Sequence, residues 1–381
     1  MSQHIVVKNS QESELIKSLQ AKNDIASKRI IKLLDLPDLT KKDHSPIKIL
    51  VDQVIGLPRF AGFDSIDFPR IVTVEENFDV LNTPKDHPSR RETDTYYLTE
   101  HHVLRTQTTV MWPYYLRHEG IREKLEKEGQ VSLLSAGIVF RKDEIDRKHF
   151  PAFHQIDFLH ICKKSEKVIT TKDLEDVQAD AVKSIFGPDI EFRFLEDSFP
   201  FTDPSLQIEI NGNGQWMEVT GAGLVHPQVL KNFRLDPEVY NGWAFAFGLE
   251  RLAMIKMEIP DIRVFWSREV RITSQFTDIN SKYKEVSKYP SVVRDISFVL
   301  DKSVALNNYY ELVRDEGGDL VEQVELLDQY ENVEKFGADK KSYTFRIVYR
   351  SLEKTLTNEE VNVIHDKITE RTKGEFSAII R

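Results

Sequence analysis

Residues 137 to 160, GIVFRKDEIDRKHFPAFHQIDFLH, limit the fold more than any other stretch of the chain. Two runs rich in β-branched and aromatic residues flank a charged connection with one proline, which specifies a long-looped antiparallel hairpin. Side chains alternate across a strand, so Val139, Arg141 and Asp143 share one face, and Phe153, Gln155 and Asp157 share a face of the return strand. A guanidinium, two carboxylates and an amide set between apolar runs are costly to bury unless a polar, charged ligand docks on them. A solvated sheet face tied by cross-strand ion pairs is the other arrangement these residues allow.

At 381 residues the chain exceeds one ordinary core, so two domains with extensions are expected. No apolar run approaches the ~18 residues of a membrane-spanning helix. The net charge of −10 opposes indiscriminate nucleic-acid binding, so a polynucleotide partner must meet a local basic patch. The single cysteine, Cys162, excludes an internal disulfide and a cysteine zinc cage. A reducing compartment follows. The first fifteen residues hold Glu12 and Glu14, no arginine and no apolar signal core, so the expected location is cytoplasmic, or an organelle matrix if a transit peptide has been removed.

Four segments are expected: an N-terminal extension at 1–40, a large first domain at 41–275, a linker at 276–286 and a second domain at 287–381. His101 and His102 have no third ligand at a matching spacing and read as a turn rather than a metal site. A helix is expected over Asp173–Phe186, stopped by Gly187-Pro188. Phe199 and Phe201 flank Pro200 at i and i+2, so they either wall a slot or belong to an ordinary core. The run from Gln207 to Val219 turns at Asn-Gly-Asn-Gly. A four-residue turn would set Glu209 opposite Trp216 and leave Glu209 and Glu218 on one face, where two carboxylates suit hydrated Mg²⁺ beside a nucleotide. Gly242 to Ile255 reads as a buried strand running into a helix, with Arg251 near the helix start, where a phosphate meets both a guanidinium and free backbone N–H groups.

From Tyr289-Pro290 the pattern becomes strand 292–300, helix 305–315, strands 320–329 and 342–349, helix 358–372 and strand 375–380. This is the β-α-β-β-α-β order of a ferredoxin-like domain. Thr357 and Glu360 form a capping box at the second helix. Arg346 and Arg350 share a strand face with Ser342 and Thr344, as a basic patch or as a solvated face.

Three stretches together are similar to one family. Phe140-Arg141-Lys142-Asp143, continuing to His149, Phe153 and Gln155, resembles motif 2 of the class II aminoacyl-tRNA synthetases, and Gly248-Leu-Glu-Arg251 resembles motif 3. Within that class, His87-Pro-Ser-Arg90, Phe199-Pro-Phe201-Thr, Trp216-x-Glu218-x-x-Gly221-Ala-Gly223 and Val225-His226-Pro227 resemble the phenylalanine-specific family. The C-terminal stretch, with Lys288-Tyr-Pro and Asp295-Ile-Ser-Phe298, resembles the anticodon-binding domain of its single-chain, organellar-type members.

The resemblance implies an α+β fold, with a class II antiparallel-sheet catalytic domain followed by a ferredoxin-like anticodon-binding domain. It implies ATP-dependent activation of phenylalanine and transfer to tRNA(Phe) by a monomer. By resemblance, Arg141 grips the α-phosphate and the substrate carboxylate, and Arg251 binds the distal phosphates. Asp143, His149 and Phe153 adjoin ATP, and Glu218 serves Mg²⁺ or the ATP end of the site. Gln107, Thr109, Gln155, Asp157, Phe199, Phe201, Ala244 and Ala246 form the amino-acid pocket, while Arg346 and Arg350 are candidates for tRNA.

The chain departs from the family pattern at the pocket. It has Gln107-Thr108-Thr109 where the family usually has His-Thr-Ser, Asp157 where Glu is usual, Ala246 where Gly is usual and Phe247 where Leu is usual. Two alternatives therefore stand beside the main reading. One is a paralogue activating another amino acid or acylating a non-tRNA acceptor. The other is an inactive tRNA-binding regulator.

Overall fold

A computed structural model of the chain describes residues 2–212, 214–286 and 289–381; Asn213 of the expected turn and Lys288 of the Lys-Tyr-Pro run lie outside the described residues. The chain divides into two compact units: 1–141 with 152–258 and 276–282, and 142–151 with 259–275 and 283–381.

The first unit is built on an eight-stranded sheet. Its strands are β1 (His4–Val6), β2 (Asp64–Asp67), β6 (Gln130–Phe140), β7 (Ala152–Lys163), β8 (Phe192–Phe199), β9 (Thr202–Gly212), β10 (Gln215–Val225) and β11 (Tyr240–Gly248). The spatial order is β1-β2-β6-β7-β11-β10-β9-β8, antiparallel except for the β1/β2 and β2/β6 pairs. The hairpin expected from residues 137–160 is β6 and β7, paired from Gln130 opposite Cys162 to Phe140 opposite Ala152. Its first strand ends at Phe140, so Arg141 follows directly after it and Asp143 is not on the strand face that its spacing implied. Three short strands, β3 (Ile71–Thr73), β4 (Tyr97–Thr99) and β5 (His102–Leu104), form a separate sheet. The Thr99 hydroxyl there accepts the backbone N–H groups of His101 and His102, each at 3.1 Å. The two histidines therefore sit in a side-chain-closed turn.

Alternation assigns the two faces of the large sheet. Phe158 and Phe245 project to one side, where Phe158 stacks on Phe60 at 4.4 Å and on Phe245 at 4.7 Å between ring centroids. Phe60 follows the helix Pro46–Ile55, whose first turn is capped by Ser45 and opened by Pro46. This helix, together with Thr171–Phe186 and Leu249–Met257, covers that face and makes it core. Thr171–Phe186 starts two residues before the expected Asp173, because Asp173 is the third helical residue and closes a capping box with Thr170. The opposite face carries Gln155 and Asp157.

Residues 1–40 do not hang free of this unit. β1 adds to the sheet, Leu39 and Thr40 are buried, and Arg70 donates to the carbonyl of Leu34 at 2.8 Å.

The second unit holds β12 (Val292–Asp301), β13 (Val321–Tyr330), β14 (Lys340–Tyr349) and β15 (Ile379–Ile380) in the order β13-β14-β12-β15, with all pairs antiparallel. Helices Leu306–Gly317 and Asn358–Phe376 complete the β-α-β-β-α-β arrangement, and Thr357 with Glu360 makes the expected capping box. Phe298, Tyr309 and Phe345 are buried at its centre. The last strand is shorter than the expected 375–380. Arg371 and Glu375 bond at i, i+4 and carry the helix on to Phe376, and Ser377, at φ 50°, ends it. Residues 142–151 belong to this unit: Ile145 joins its core, Val324 donates to the Ile145 carbonyl at 2.9 Å, and Arg147 pairs with the buried Glu322.

Candidate active site

The site is set by register. Asp157 on β7 lies opposite Ala246 on β11, Ala246 opposite Gly221 on β10, and Gly221 opposite Gln207 on β9. The next row is Leu159, Ala244, Gly223 and Ser205. Both rows place small residues in mid-sheet, which leaves a shallow floor between a polar side at β7 and an apolar wall at β8 and β9. A Cβ on Gly221 would meet the Phe199 ring at 2.8 Å, and one on Gly223 would meet the Pro204 carbonyl at 2.6 Å. Glycine at both positions lets the 199–205 turn lie down on the sheet. Phe199 and Phe201 stack there with centroids 5.9 Å apart, and Phe201 meets Trp112 edge-on at 6.0 Å. Both rings are partly exposed, and Phe201 also packs against the buried core of the unit, so the pair combines a face toward the sheet surface with a core contact. Phe247 is wholly buried and projects to the helix-covered face, so it does not line the floor.

The segment 105–109 is tied above β6 and β7. The Arg105 carbonyl accepts Phe140 N–H at 3.0 Å, the Thr106 carbonyl accepts Arg141 Nε at 3.0 Å, and Thr108 N–H donates to Gln155 Oε1 at 3.1 Å. The Thr109 hydroxyl donates to Asp157 Oδ2 at 2.6 Å. These bonds bring Thr109, Gln155 and Asp157 to one place, with Gln107 in the same tied segment. Asp157 is only 1% exposed. Burial pushes its carboxyl up to about 7, against the Thr109 hydroxyl and the nearby Trp112 and Thr108 side chains, which hold it down. Among the described residues, Asp157 Oδ1, Thr108 Oγ1 and Trp112 Nε1 are buried without a hydrogen bond of ordinary length. The Thr108 hydroxyl and the Trp112 indole face the Asp157 carboxyl, so the three form one buried polar cluster in which the carboxyl keeps room for a small polar or cationic group. Trp112 was not singled out from sequence.

At the other end of β7, the Arg141 guanidinium lies over the Phe153 ring, 5.2 Å from its centroid. Gly248 opposite Gln155 starts the helix Leu249–Met257, which places Arg251 in its first turn. Arg251 Nη1 donates to the Glu218 carbonyl at 3.3 Å, and Glu218 Oε2 stands 3.9 Å from it. The β9–β10 connection is tighter than the four-residue turn expected. Gly212 pairs with Gln215, so Glu209 faces Glu218 directly and Trp216 faces Asn211. The shared face survives the correction, but Glu209 is committed to Arg193 at 2.8 Å, and Arg193 also covers the Trp216 ring at 4.3 Å. Glu218, 47% exposed, is the carboxylate left facing solvent.

Asp143 and His149 lie in the second unit, where the Asp143 carbonyl accepts from Arg314 at 2.7 Å and His149 Nδ1 meets Asp146 at 2.9 Å. Arg346 there is held by Asp295 through two bonds of 2.9 and 2.8 Å. Arg350 lies one residue past β14, bound to Glu322 and to the Tyr289 carbonyl. The two arginines are consequently not a pair of free cations on one strand face.

Residues 32–276 match the family model described as tRNA synthetases class II core domain (F), and residues 287–381 match the ferredoxin-fold anticodon binding domain. The chain is 37% identical to the mitochondrial phenylalanine-tRNA ligase of Mus musculus, over 82% of this chain and 74% of that protein. It is 36% identical to the chloroplastic/mitochondrial enzyme of Arabidopsis thaliana, over 90% and 80%. It is 32% identical to the mitochondrial enzyme of Saccharomyces cerevisiae, over 92% and 91%. With both models matched in series and this identity sustained across most of its length, the chain belongs to the phenylalanine-tRNA ligase family of class II aminoacyl-tRNA synthetases.

Proposed function

We propose that the chain activates phenylalanine with ATP and transfers it to tRNA(Phe), and the observation that carries this reading is the Asp157–Ala246–Gly221 row. That row joins a buried carboxylate to a small-residue floor walled by stacked phenylalanine rings. It suits a ligand with an ammonium at one end and an aromatic ring at the other. In the first step a carboxylate oxygen of phenylalanine attacks the α-phosphorus of ATP, and the bond to the bridging oxygen breaks to release pyrophosphate. Two anions must be brought together, so positioning and neutralisation carry the rate and no protein nucleophile is needed. Arg141 neutralises the α-phosphate and the incoming carboxylate. Arg251, at a helix start, holds the distal phosphates. Asp157, ionised, pairs with the ammonium, directly or through a water, since aspartate is one methylene shorter than glutamate. In the second step a ribose hydroxyl at the tRNA terminus attacks the acyl carbonyl, and AMP leaves.

Class II membership implies ATP as a substrate. For Mg²⁺, the donor set fits a largely hydrated ion held mostly by phosphate oxygens, because, of the facing pair Glu209 and Glu218, only Glu218 is open to solvent, Glu209 being occupied by Arg193. Among the described residues no cluster of three or more metal-ligating side chains is present. The ion supplies charge neutralisation of the distal phosphates when bound.

Because the synthetase core and the anticodon-binding module occupy one chain, we read it as acting alone, as a monomer. The organellar names of the relatives favour the organelle-matrix alternative over the cytoplasm. Among the described residues no helix is long and apolar enough to cross a membrane. Charging assays test the second step. The full chain is expected to load phenylalanine onto tRNA(Phe) and not onto non-cognate tRNAs, whereas adenylate formation with no charging of any tRNA would favour a non-tRNA acceptor.

Ala246 adds one methyl to the floor in the row of Asp157, where the family usually has glycine. Ala246→Gly is expected to raise kcat/KM for para-chlorophenylalanine roughly tenfold, the scale of one methylene in an apolar pocket, and to change that for phenylalanine little. Equal effects on both substrates would remove Ala246 from the pocket floor.

A further inference from the structure

Behind the site, on the helix-covered face of β7, lies a buried polar chain that none of the roles above uses. His154 stands between Phe153 and Gln155 but projects to the opposite side of the strand, and it is completely buried. Its Nδ1 lies 2.6 Å from Glu250 Oε1, and its backbone N–H donates to Glu250 Oε2 at 2.8 Å. Its Nε2 accepts the Leu39 N–H at 2.9 Å, while Asp38 Oδ1 stands at 3.6 Å, beyond bonding range. A backbone N–H pointing into Nε2 leaves that nitrogen without a proton, so the proton sits on Nδ1 and is donated to Glu250. Both oxygens of Glu250 are therefore closed on one residue of β7.

Glu250 is the second residue of the helix Leu249–Met257, and only 2% of it is exposed. A buried carboxylate in the first turn is stabilised by the N-terminal end of the helix dipole, but its two bonds to His154 fix where the turn sits along the strand. The next residue is Arg251, and the residue before His154 is Phe153, over which Arg141 lies. One clamp thus sets the spacing between the two cationic ends of the nucleotide site.

We infer that His154 is a positioning residue for ATP. With its imidazole oriented by the Leu39 N–H, it holds Glu250, and through Glu250 it sets Arg251 in register with Arg141 and Phe153. This rests on the proposed adenylate-forming reaction and adds to it a role for residues 38–40, which would otherwise read as packing. The amino-acid pocket is held by separate bonds, Thr109 to Asp157 and Thr108 to Gln155, so the two substrates should respond differently.

The test is phenylalanine-dependent ATP–pyrophosphate exchange by the full chain, with KM measured for each substrate and thermal unfolding in parallel. A displacement of about 1 Å at a reacting centre can cost roughly 10²-fold in rate. His154→Ala is expected to lower kcat/KM for ATP by about that factor, with KM for phenylalanine within about threefold of the wild type. Glu250→Gln, of the same shape, sets an amide donor against one of two N–H groups and should behave alike. Two further variants divide the clamp. His154→Asn keeps a donor near the Nδ1 position and should recover most ATP affinity, whereas His154→Gln keeps only the reach toward Leu39 and should not.

Wild-type KM for ATP in folded His154→Ala and Glu250→Gln would overturn the inference. So would parallel losses for both substrates that track the unfolding temperature with no rescue by asparagine. If His154→Ala fails to fold, the asparagine and glutamine variants decide, and equal ATP kinetics in the two would overturn it as well. Absence of exchange in the wild type would instead strike the proposed function.

Discussion

Arg141→Ala is expected to lower phenylalanine-dependent ATP–pyrophosphate exchange on the order of 10²–10³-fold, the usual cost of removing one preorganised charge contact that strengthens in the transition state. The phosphorus gains negative charge at its equatorial oxygens as the carboxylate arrives, and a guanidinium meets such oxygens in a planar, bidentate fashion. The fold should survive, because Arg141 follows the last residue of β6 and is not part of the buried core, and its contacts include one bond to the Thr106 carbonyl and the face of Phe153. Arg141→Lys should recover only part of the loss, since an ammonium keeps the charge but not the fork. Steady-state exchange kinetics on folded protein check this. Wild-type rates in the alanine variant would make the polar face of the central hairpin a solvated surface.

The second large effect is at Asp157. Asp157→Asn removes the charge that would pair with the substrate ammonium, and leaving one partner of a buried pair alone costs about 2–5 kcal/mol, on the order of 10²-fold or more in kcat/KM for phenylalanine. The same carboxyl gives a pH signature. Since burial raises it to about 7, it is neutral below that value in the free protein, and kcat/KM for phenylalanine should fall about tenfold per pH unit below about 7. The asparagine variant should lose that limb of the profile. In the absence of substrate the sign for stability is opposite to that of a salt-bridged aspartate. A raised folded-state value means the contribution is greatest below the ordinary carboxylate range and is lost as pH rises through about 7, and bound phenylalanine should restore it. A flat profile from pH 6 to 8, unchanged by Asp157→Asn, would show that the carboxylate does not meet the ammonium.

What the sequence disclosed followed the physics of periodicity and turns. The central hairpin was legible because an alternating apolar pattern with polar interruptions specifies two strands, and β6 and β7 carry it. The second domain was legible from its six elements in order, and the capping box at Thr357 fixed the start of its long helix. Its end was not, because a helix continued by a surface ion pair such as Arg371 with Glu375 leaves no glycine or proline signal at the boundary.

The register of β9 and β10 was misjudged for a related reason. Asn-Gly-Asn-Gly permits turns of two lengths, and sequence alone does not choose between them. Contacts remote in the chain were out of reach altogether. Nothing in the local pattern announces that Leu39 meets His154, 115 residues away, or that Arg350 is taken up by Glu322. Alternation did assign Gln155 and Asp157 to one face of β7, and register bears that out, whereas the place of Ala246 came from the family resemblance and not from the strand pattern.

The identity of the activated amino acid decides most directly what the pocket is for. ATP–pyrophosphate exchange by the full-length protein, run with each of the twenty amino acids at matched concentration, reads this without any tRNA. An apolar pocket that merely tolerates an extra hydroxyl discriminates by only about 10², and the Ala246 methyl on the floor adds to that. The result predicted is exchange that is highest with phenylalanine, at least two orders of magnitude lower with tyrosine, and at background with non-aromatic amino acids. Highest exchange with tyrosine or with any non-aromatic amino acid would contradict the assignment of the pocket, and no exchange with any of the twenty would contradict the adenylate-forming reaction itself.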